Sequence, residues 1–291
     1  MTFAFIRDHQ EQFPVQALCE VLGVSHSGYY AWLGRPESTR TKRRAELTEK
    51  IKTVHEGSRL VYGSPRVHRE LVNQGEKVCR NTVAKAMKMQ GIKARTHKRF
   101  KPRTTDANHP HPIAPNTLDR KFECQRLDQV WLTDITYIHT AEGFLYLAGV
   151  MDLCSRRIIG WSMADHMRVE LVAEALSMAA ATRGFKPGAA HLDLLHHSDR
   201  GVQYACGEYQ SLLRRHGIAV SMSNTGDCYD NAPKESFWGK LKTEMVYLHR
   251  FATREQARAA IFDYIEVFYN RQRLHSSLDY LSPEQFEARL T

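Results

Sequence analysis

The 291 residues allow two domains, or one larger domain with small appendages, and 42% hydrophobic with 25% charged content is ordinary for a soluble globular chain. No apolar run approaches the roughly 18–20 residues of a membrane span, no charged-then-apolar signal opens the chain, and no G-x-x-x-x-G-K-[S/T] loop suggests nucleotide hydrolysis. The net charge of +9 is unevenly placed: residues 1–120 hold 22 Lys/Arg against 11 Asp/Glu, and the remainder 19 against 21, so a basic front able to grip a polyanion precedes a near-neutral back.

In chain order, Val15, Leu18, Cys19 and Leu22 form a helical apolar face, Gly23-Val24-Ser25 a turn, and Tyr29, Tyr30, Trp32 and Leu33 a second short helix. Residues 12–34 therefore read as a small helix-turn-helix, either a DNA reader or a helical hairpin that packs on a neighbour. Leu47, Ile51 and Val54 define an amphipathic connecting helix over 41–56. A second helical pair follows, with Val67, Leu71 and Val72 before a break at Gly75, then Val83, Ala86, Met87 and Met89 in a helix capped by Asn81 or Thr82. That helix turns Arg80, Lys85 and Lys88 outward, which suits a major groove and equally a solvated face.

From Ile92 to Thr105 the chain holds Lys93, Arg95, Lys98, Arg99, Lys101 and Arg103 without an acid, and several prolines follow. A basic, poorly structured linker suits a phosphate backbone, and also a plain tether. The expected domains are 1–40 and 41–95, each helix-turn-helix-like, a basic Pro-rich linker over 96–120, and an α/β domain over 121–291.

After residue 120 the pattern becomes β. Strands are expected at Val130–His139, Phe144–Leu153 and Arg157–Ala164, joined by turns short enough to make them antiparallel neighbours. A helix over 167–182, a strand over Leu192–His196, a helix over 207–216 and a strand over Ile218–Ser223 follow. Thr253 with Gln256 reads as the capping box of one long helix carrying Ala257, Ile261, Tyr264, Ile265 and Phe268. Three antiparallel strands, a helix, a strand and further helices are the element order of an RNase H-like α/β domain.

Three carboxylates fall at telling places on these elements. Trp131-Leu-Thr-Asp134-Ile-Thr-Tyr137 sets an aspartate in the first strand, and His196-His-Ser-Asp199-Arg-Gly-Val-Gln-Tyr204 sets a second where an apolar run ends. Glu235 follows after 35 intervening residues, in Asn231-Ala-Pro-Lys-Glu-Ser-Phe-Trp-Gly-Lys-Leu-Lys-Thr-Glu244. This stretch reads as a helix opening just after Pro233, with Phe237, Trp238, Leu241 and Met245 facing a core. Lys242 lies seven residues beyond Glu235, nearly two turns, so both project from one side toward a common phosphodiester. Converging carboxylates repel each other, and a hard divalent cation, Mg²⁺ or Mn²⁺ and most naturally a pair of ions, relieves the repulsion. Asp152 reads as a turn residue rather than a ligand, and His196 and His197 as orienting or structural groups. Six cysteines without a C-x-x-C pair argue against zinc and a disulfide framework, and fit a reducing, cytoplasmic setting.

With these residues assembled, the chain resembles, over nearly its whole length, an insertion-sequence transposase of the OrfB type, from the large family conventionally numbered three. The resemblance rests on Leu18-Cys-Glu-Val-Leu-Gly-Val-Ser25 with Gly28-Tyr-Tyr-Ala-Trp32, on Tyr62-Gly63 with Arg66, and on Trp131–Tyr137 and His197–Tyr204. It continues through Asp230-Asn-Ala with Glu235-Ser-Phe, Leu241-Lys-Thr-Glu244, Tyr269-Asn270 with Arg273 and His275, and Leu281-Ser-Pro283. It implies a catalytic triad at Asp134, Asp199 and Glu235, which would also hold the metal, with Lys242 as the following basic residue. It also implies an integrase-like catalytic core, strand cleavage and strand transfer during transposition, and a homo-oligomer on double-stranded DNA bearing the terminal repeats or the target. Arg200 and Asn231 read either as groups that position DNA or as loop structure. Tyr269, Asn270, Arg273 and His275 read as a brace for the catalytic helix, with packing the expected role of the tyrosine. The family's upstream OrfA-type product, with its own helix-turn-helix and leucine zipper, is an expected partner, since this chain shows no sustained heptad. A nucleoid-associated protein is expected; the alternative is a non-catalytic DNA-binding regulator, or an accessory subunit that needs an upstream segment.

Overall fold

The computed structural model describes residues 1–95, 111–186, 188, 193–224 and 232–290. It divides into two compact units, Met1–Val54 and His55–Thr291. In the first, α1 (Thr2–His9), α2 (Val15–Val21) and α3 (His26–Leu33) close on a small core of Ile6, Cys19 and Tyr29. Gly23 turns the chain between α2 and α3 at φ 65°, a conformation that glycine adopts without steric cost. The Ser25 hydroxyl caps α3 by accepting from the Gly28 N–H. The helical pair expected over 12–34 is present, and α1 supplies a third wall that the periodicity did not reveal. The connecting helix α4 spans Thr39–Gly57.

The second unit opens with α5 (Ser64–Asn73) and α6 (Arg80–Met89), whose buried Val67, Leu71, Val83, Ala86 and Met87 lie between them. The cap of α6 is Cys79 rather than Asn81 or Thr82. The chain has already turned at Cys79, whose carbonyl accepts from the N–H groups of Thr82 and Val83, so both expected caps fall inside the first turn.

β1 (Val130–Thr140), β2 (Gly143–Asp152) and β3 (Ile158–Ala164) form an antiparallel meander, α7 (Val169–Thr182) crosses back, and β4 (Leu195–Ser198) pairs parallel with β1. The short α8 (Val202–Ala205) and α9 (Gly207–Arg215) lead to β5 (Ala219–Met222), parallel to β4, giving the order β3-β2-β1-β4-β5. This is the RNase H-like mixed sheet with helices against it. β4 sits later than the expected 192–196, because its pairing with β1 starts at Val130↔Leu195. The shift brings Asp199 immediately past the strand end.

Alternate residues of β1 and β2 face opposite sides of the sheet. Trp131, Ala148 and Val150 join Leu171, Val172, Ala175, Leu176 and Ala179 in the core under α7. The close approach of α7 requires Gly160 on β3, where a Cβ would lie 2.2 Å from the Ala175 carbonyl. Asp134 and Gly149 face the other side, against α10 (Ala232–Glu244). Pro233 lies inside the first turn of α10, whereas the expected opening of the helix is just after it. A 3-10 turn at Val246–Leu248 leads to α11 (Arg254–Phe262), capped as expected by Thr253 and Gln256. The long helix expected from Thr253 widens into a π-turn over Asp263–Tyr269, where the Asn270 N–H reaches the Ile265 carbonyl, and α12 (Pro283–Leu290) ends the fold. Of the expected linker, Pro115–Leu118 is laid against β5: the Pro115 carbonyl accepts from the Met222 N–H, and the Ser221 hydroxyl accepts from Thr117 and Leu118.

Candidate active site

Parallel pairing of β1 with β4 ends at Leu132↔His197. Two residues further on stand Asp134, still within β1, and Asp199, just past the end of β4, so the register sets the two carboxylates on one cleft. They line a cleft of about 80 Å³ with Tyr137, Met167, Gln203 and Tyr204. Asp199 is steadied by the turn after β4, its Oδ1 accepting from the Gly201 N–H at 3.0 Å. Asp134 accepts from the Ile135 N–H at 2.8 Å and from the Trp238 indole at 3.0 Å. Burial and the adjacent Asp199 carboxylate push the Asp134 carboxyl up, outweighing the Lys234 cation and the two donors.

Glu235 lies in the first turn of α10, exposed and outside the lining of this cleft. Among the described residues no three carboxylate, histidine or cysteine side chains are gathered closely enough to form a ready metal cage. The pair that does meet fits a hard divalent cation. Both donors are carboxylate oxygens, and each resists the other's charge. The histidines beside them are engaged elsewhere: His196 meets the Tyr209 hydroxyl at 2.9 Å and His197 the Ser221 hydroxyl at 2.9 Å. They are structural, as expected, and burial depresses the His196 pKa to about 3, so it stays neutral.

Lys242 extends from α10 over the ring of Tyr137, a residue that lines the cleft, with its Nζ 5.2 Å from the centroid. Burial lowers its pKa and the charge of Asp134 raises it. Arg200 donates from Nε to the Ser223 carbonyl at 2.6 Å, tying the loop after β4 to the end of β5. Arg80, Lys85 and Lys88 are exposed on α6, and Lys93 and Arg95 are exposed after it. Asn231, Lys98, Arg99, Lys101 and Arg103 lie outside the described residues.

The brace expected behind α10 is present. Arg273 forks onto the Glu244 carboxylate at the end of α10, with Nε 2.8 Å from Oε2, and both side chains are nearly sealed from solvent. The Tyr269 ring stands edge-on to Phe237 at 4.6 Å, and His275 meets Lys240 at 3.1 Å. Asn270 bonds both the N–H and the carbonyl of Ile158 on β3. The same segment receives α5: Arg66 donates to the Leu274 carbonyl, and the Tyr62 hydroxyl accepts from the Leu274 N–H. Residues 62–66 and 269–275, far apart in the chain, thus share one junction. Asp152 is a structural turn residue, fully buried and accepting from the Ser155 and Asp128 N–H groups.

Two participants escaped the reading of the sequence. Trp238 belongs to the buried face of α10, yet its indole also serves Asp134. Lys234 is buried beside the same carboxylate, although lysine is rarely found fully inside. A signal for it existed: position 234 stands three, four and seven residues before Phe237, Trp238 and Leu241, on the stripe that faces inward.

The integrase core domain family matches residues 125–228 and, in a second form, 235–290, and the HTH-like domain family matches residues 42–100. The transposase InsF of insertion sequence IS3A from Escherichia coli (strain K12) is 42% identical over 99% of this chain and 98% of its own length. A 31 kDa protein of insertion element IS600 from Shigella sonnei is 42% identical over 92% of this chain and 97% of its own length. Among solved structures, a chain of the simian T-cell lymphotropic virus intasome, in complex with PP2A regulatory subunit B56 gamma, aligns with a TM-score of 0.46 at 14% identity, covering 82% of this chain and 74% of that one. The HTLV-2 integrase catalytic core domain, in complex with magnesium, aligns with a TM-score of 0.42 at 14% identity, covering 55% of this chain and 96% of that one. With relatives this similar along its full length and an integrase core in its second unit, the chain belongs to the IS3 family of insertion-sequence transposases and is a DDE-type polynucleotidyl transferase.

Proposed function

We propose that Asp134, Asp199 and Glu235 are the catalytic carboxylates with which this transposase breaks a DNA strand at the element's ends and joins the freed end to a target. The observation that carries the reading is the placement of Asp134, within β1, beside Asp199, just past the end of the parallel β4, where both line one cleft. Glu235 stands exposed on the first turn of α10, the helix whose Trp238 and Lys234 act on Asp134. In the first reaction water attacks a phosphodiester and releases a 3′-hydroxyl; in the second that hydroxyl attacks another phosphodiester. One ester replaces another in the joining step, so no nucleotide hydrolysis is required.

Asp134, Asp199 and Glu235 would hold Mg²⁺ or Mn²⁺, whose positive charge assists the attacking oxygen and the leaving oxygen of an in-line displacement. The chain's own residues do the rest. Lys242, over the Tyr137 ring, offers its ammonium to a phosphate near the cut. Arg200, in the loop after β4, and Asn231 position the strand. Arg80, Lys85, Lys88, Lys93 and Arg95, with Lys98, Arg99, Lys101 and Arg103, neutralise backbone phosphates, a contribution that weakens as salt rises. Two ends must be held together for transposition, so a homo-oligomer on DNA is expected, with an OrfA-type upstream product as a further partner.

The test is strand breakage on labelled DNA carrying the element's own termini, with Mg²⁺, Mn²⁺ or chelator, beside Glu235→Gln. Metal-dependent breakage in the parent that disappears in the variant supports the assignment. Undiminished breakage in Glu235→Gln removes Glu235 from the triad. Retained binding with no breakage in the parent points to a regulator or to a need for the upstream product, and fusing that product to the chain separates those two.

A further inference from the structure

Lys234 is fully buried, and its ammonium makes no hydrogen bond among the described residues. The charge rests over two rings of its own helix, 4.6 Å from the Trp238 centroid and 5.2 Å from that of Phe237. Its place is prepared by the sheet. Gly149 on β2 stands directly across from Asp134 on β1, and a Cβ at Gly149 would lie 2.7 Å from the Lys234 Nζ and 3.1 Å from the Trp238 ring. The missing side chain opposite the carboxylate is therefore the socket that admits both the ammonium and the indole. The indole donates to Asp134, and the ammonium acts on it through space.

A packing role alone does not account for a cation here. Burying an ammonium without a hydrogen-bond partner costs several kcal/mol unless opposite charge lies close by, and methionine would fill the same tube of space without that cost. The opposite charge that acts on it is the Asp134 carboxylate, which Asp199 adjoins.

We propose that Lys234 is a positioning residue whose buried ammonium offsets the Asp134 carboxylate and so sets the affinity of the Asp134–Asp199 pair for a divalent cation. Without the cation, the ammonium lets two facing carboxylates share one cleft. With the cation bound, like charges face each other across Asp134, so Lys234 weakens binding and keeps exchange of the cation easy. The inference rests on the assignment of Asp134 and Asp199 as cation ligands.

The test is Mn²⁺ binding to the full chain, read from the electron paramagnetic resonance of free Mn²⁺, for the parent, Lys234→Met and Lys234→Arg. Replacing the unit charge by methionine is expected to tighten binding about tenfold or more, and arginine to keep the parent's affinity. A space-filling role predicts a changed Tm and the same Mn²⁺ affinity in Lys234→Met, and that result overturns the proposal. Absence of saturable Mn²⁺ binding in both the parent and Lys234→Met overturns the underlying assignment as well. That outcome is distinct from equal, measurable binding in the two proteins, which overturns the role of Lys234 alone. Should Lys234→Met fail to fold, the parent carries the test: saturating Mg²⁺ must shift the NMR signal of the Lys234 ε-methylene, assigned through Lys234→Arg, and an unmoved signal overturns the proposal.

Discussion

Asp134 and Asp152 stand on neighbouring strands of one sheet, and burial raises the pKa of both. Their surroundings differ in kind. Asp152 accepts from the Ser155 N–H and hydroxyl and from the Asp128 N–H, and it faces Arg183. Arg183 also engages Asp128 and Glu287, and Glu287 in turn receives Arg157 and the Ser155 hydroxyl. Every charge in that network has a geometric partner, and the network ties α12 to the ends of β2 and α7. Asp134 has two donors, a second carboxylate alongside and a lysine that does not bond to it. A fully satisfied carboxylate has no oxygen left for a ligand. A partly satisfied one beside a like charge retains both an acceptor and a reason to bind a cation.

The sharpest way to break this contrast is to neutralise each acid in turn. Asp134→Asn keeps the shape of the side chain and removes its charge. Strand breakage is expected to fall by about a thousandfold or more, while DNA affinity in a gel-shift assay stays within about twofold. Measurable turnover near the parent's rate would move the site elsewhere.

Arg183→Leu probes the other region. Removing the fork leaves Asp128, Asp152 and Glu287 without their common cation. A loss of about 3–5 kcal/mol is expected in urea unfolding, because buried acids lose their counter-charge. Any effect on Mn²⁺ affinity should be slight, since Arg183 does not reach the Asp134 cleft.

Glu287→Gln tests the same network through pH. Burial alone would raise the Glu287 pKa, but hydrogen bonds from Arg183, Ser155 and Arg157 outweigh it and hold the carboxyl below the ordinary glutamate value. A depressed acid contributes stability that is complete above its unfolded pKa and disappears as pH falls through the folded one. The variant should therefore be about 2–3 kcal/mol less stable than the parent at pH 7, with the gap closing as the medium is acidified below about pH 4.5. A gap that does not change with pH would mean that shape, and not charge, holds α12.

Trp238→Phe is the mildest intervention. It keeps an aromatic ring under Lys234 and deletes the donor to Asp134. A stability loss of about 1–2 kcal/mol is expected by thermal denaturation, with strand breakage slowed by about tenfold through misplacement of Asp134. Unchanged breakage would show that the Ile135 N–H alone orients the carboxylate.

Much of this architecture was legible in the residues. Alternation over Val130–Ala164 marks the meander, Thr253 with Gln256 marks the start of α11, and the spacing of Asp134, Asp199 and Glu235 marks the candidate site. These are short-range signals, set by periods of two or 3.6 residues and by caps that act within one turn. β4 was legible only as an apolar run. Its limits depend on register with β1, more than sixty residues earlier, and position within a strand follows from pairing rather than from propensity. The π-turn after Phe262 likewise escaped, because the same apolar residues suit an α-helix.

The sequence by itself determined which segments are helices and strands, where the positive charge is concentrated, and which acids belong to a recognisable pattern. Only the tertiary structure decided what each buried charge is for. Asp134 and Asp152 look alike as aspartates on strands of one sheet. They part because Gly149 leaves a socket across from the one, filled by the ammonium of Lys234 and the indole of Trp238, while the tight turn at Ser155 and the fork of Arg183 enclose the other. Such differences come from groups brought together across the fold, where electrostatic energy depends on distance and burial rather than on neighbours along the chain.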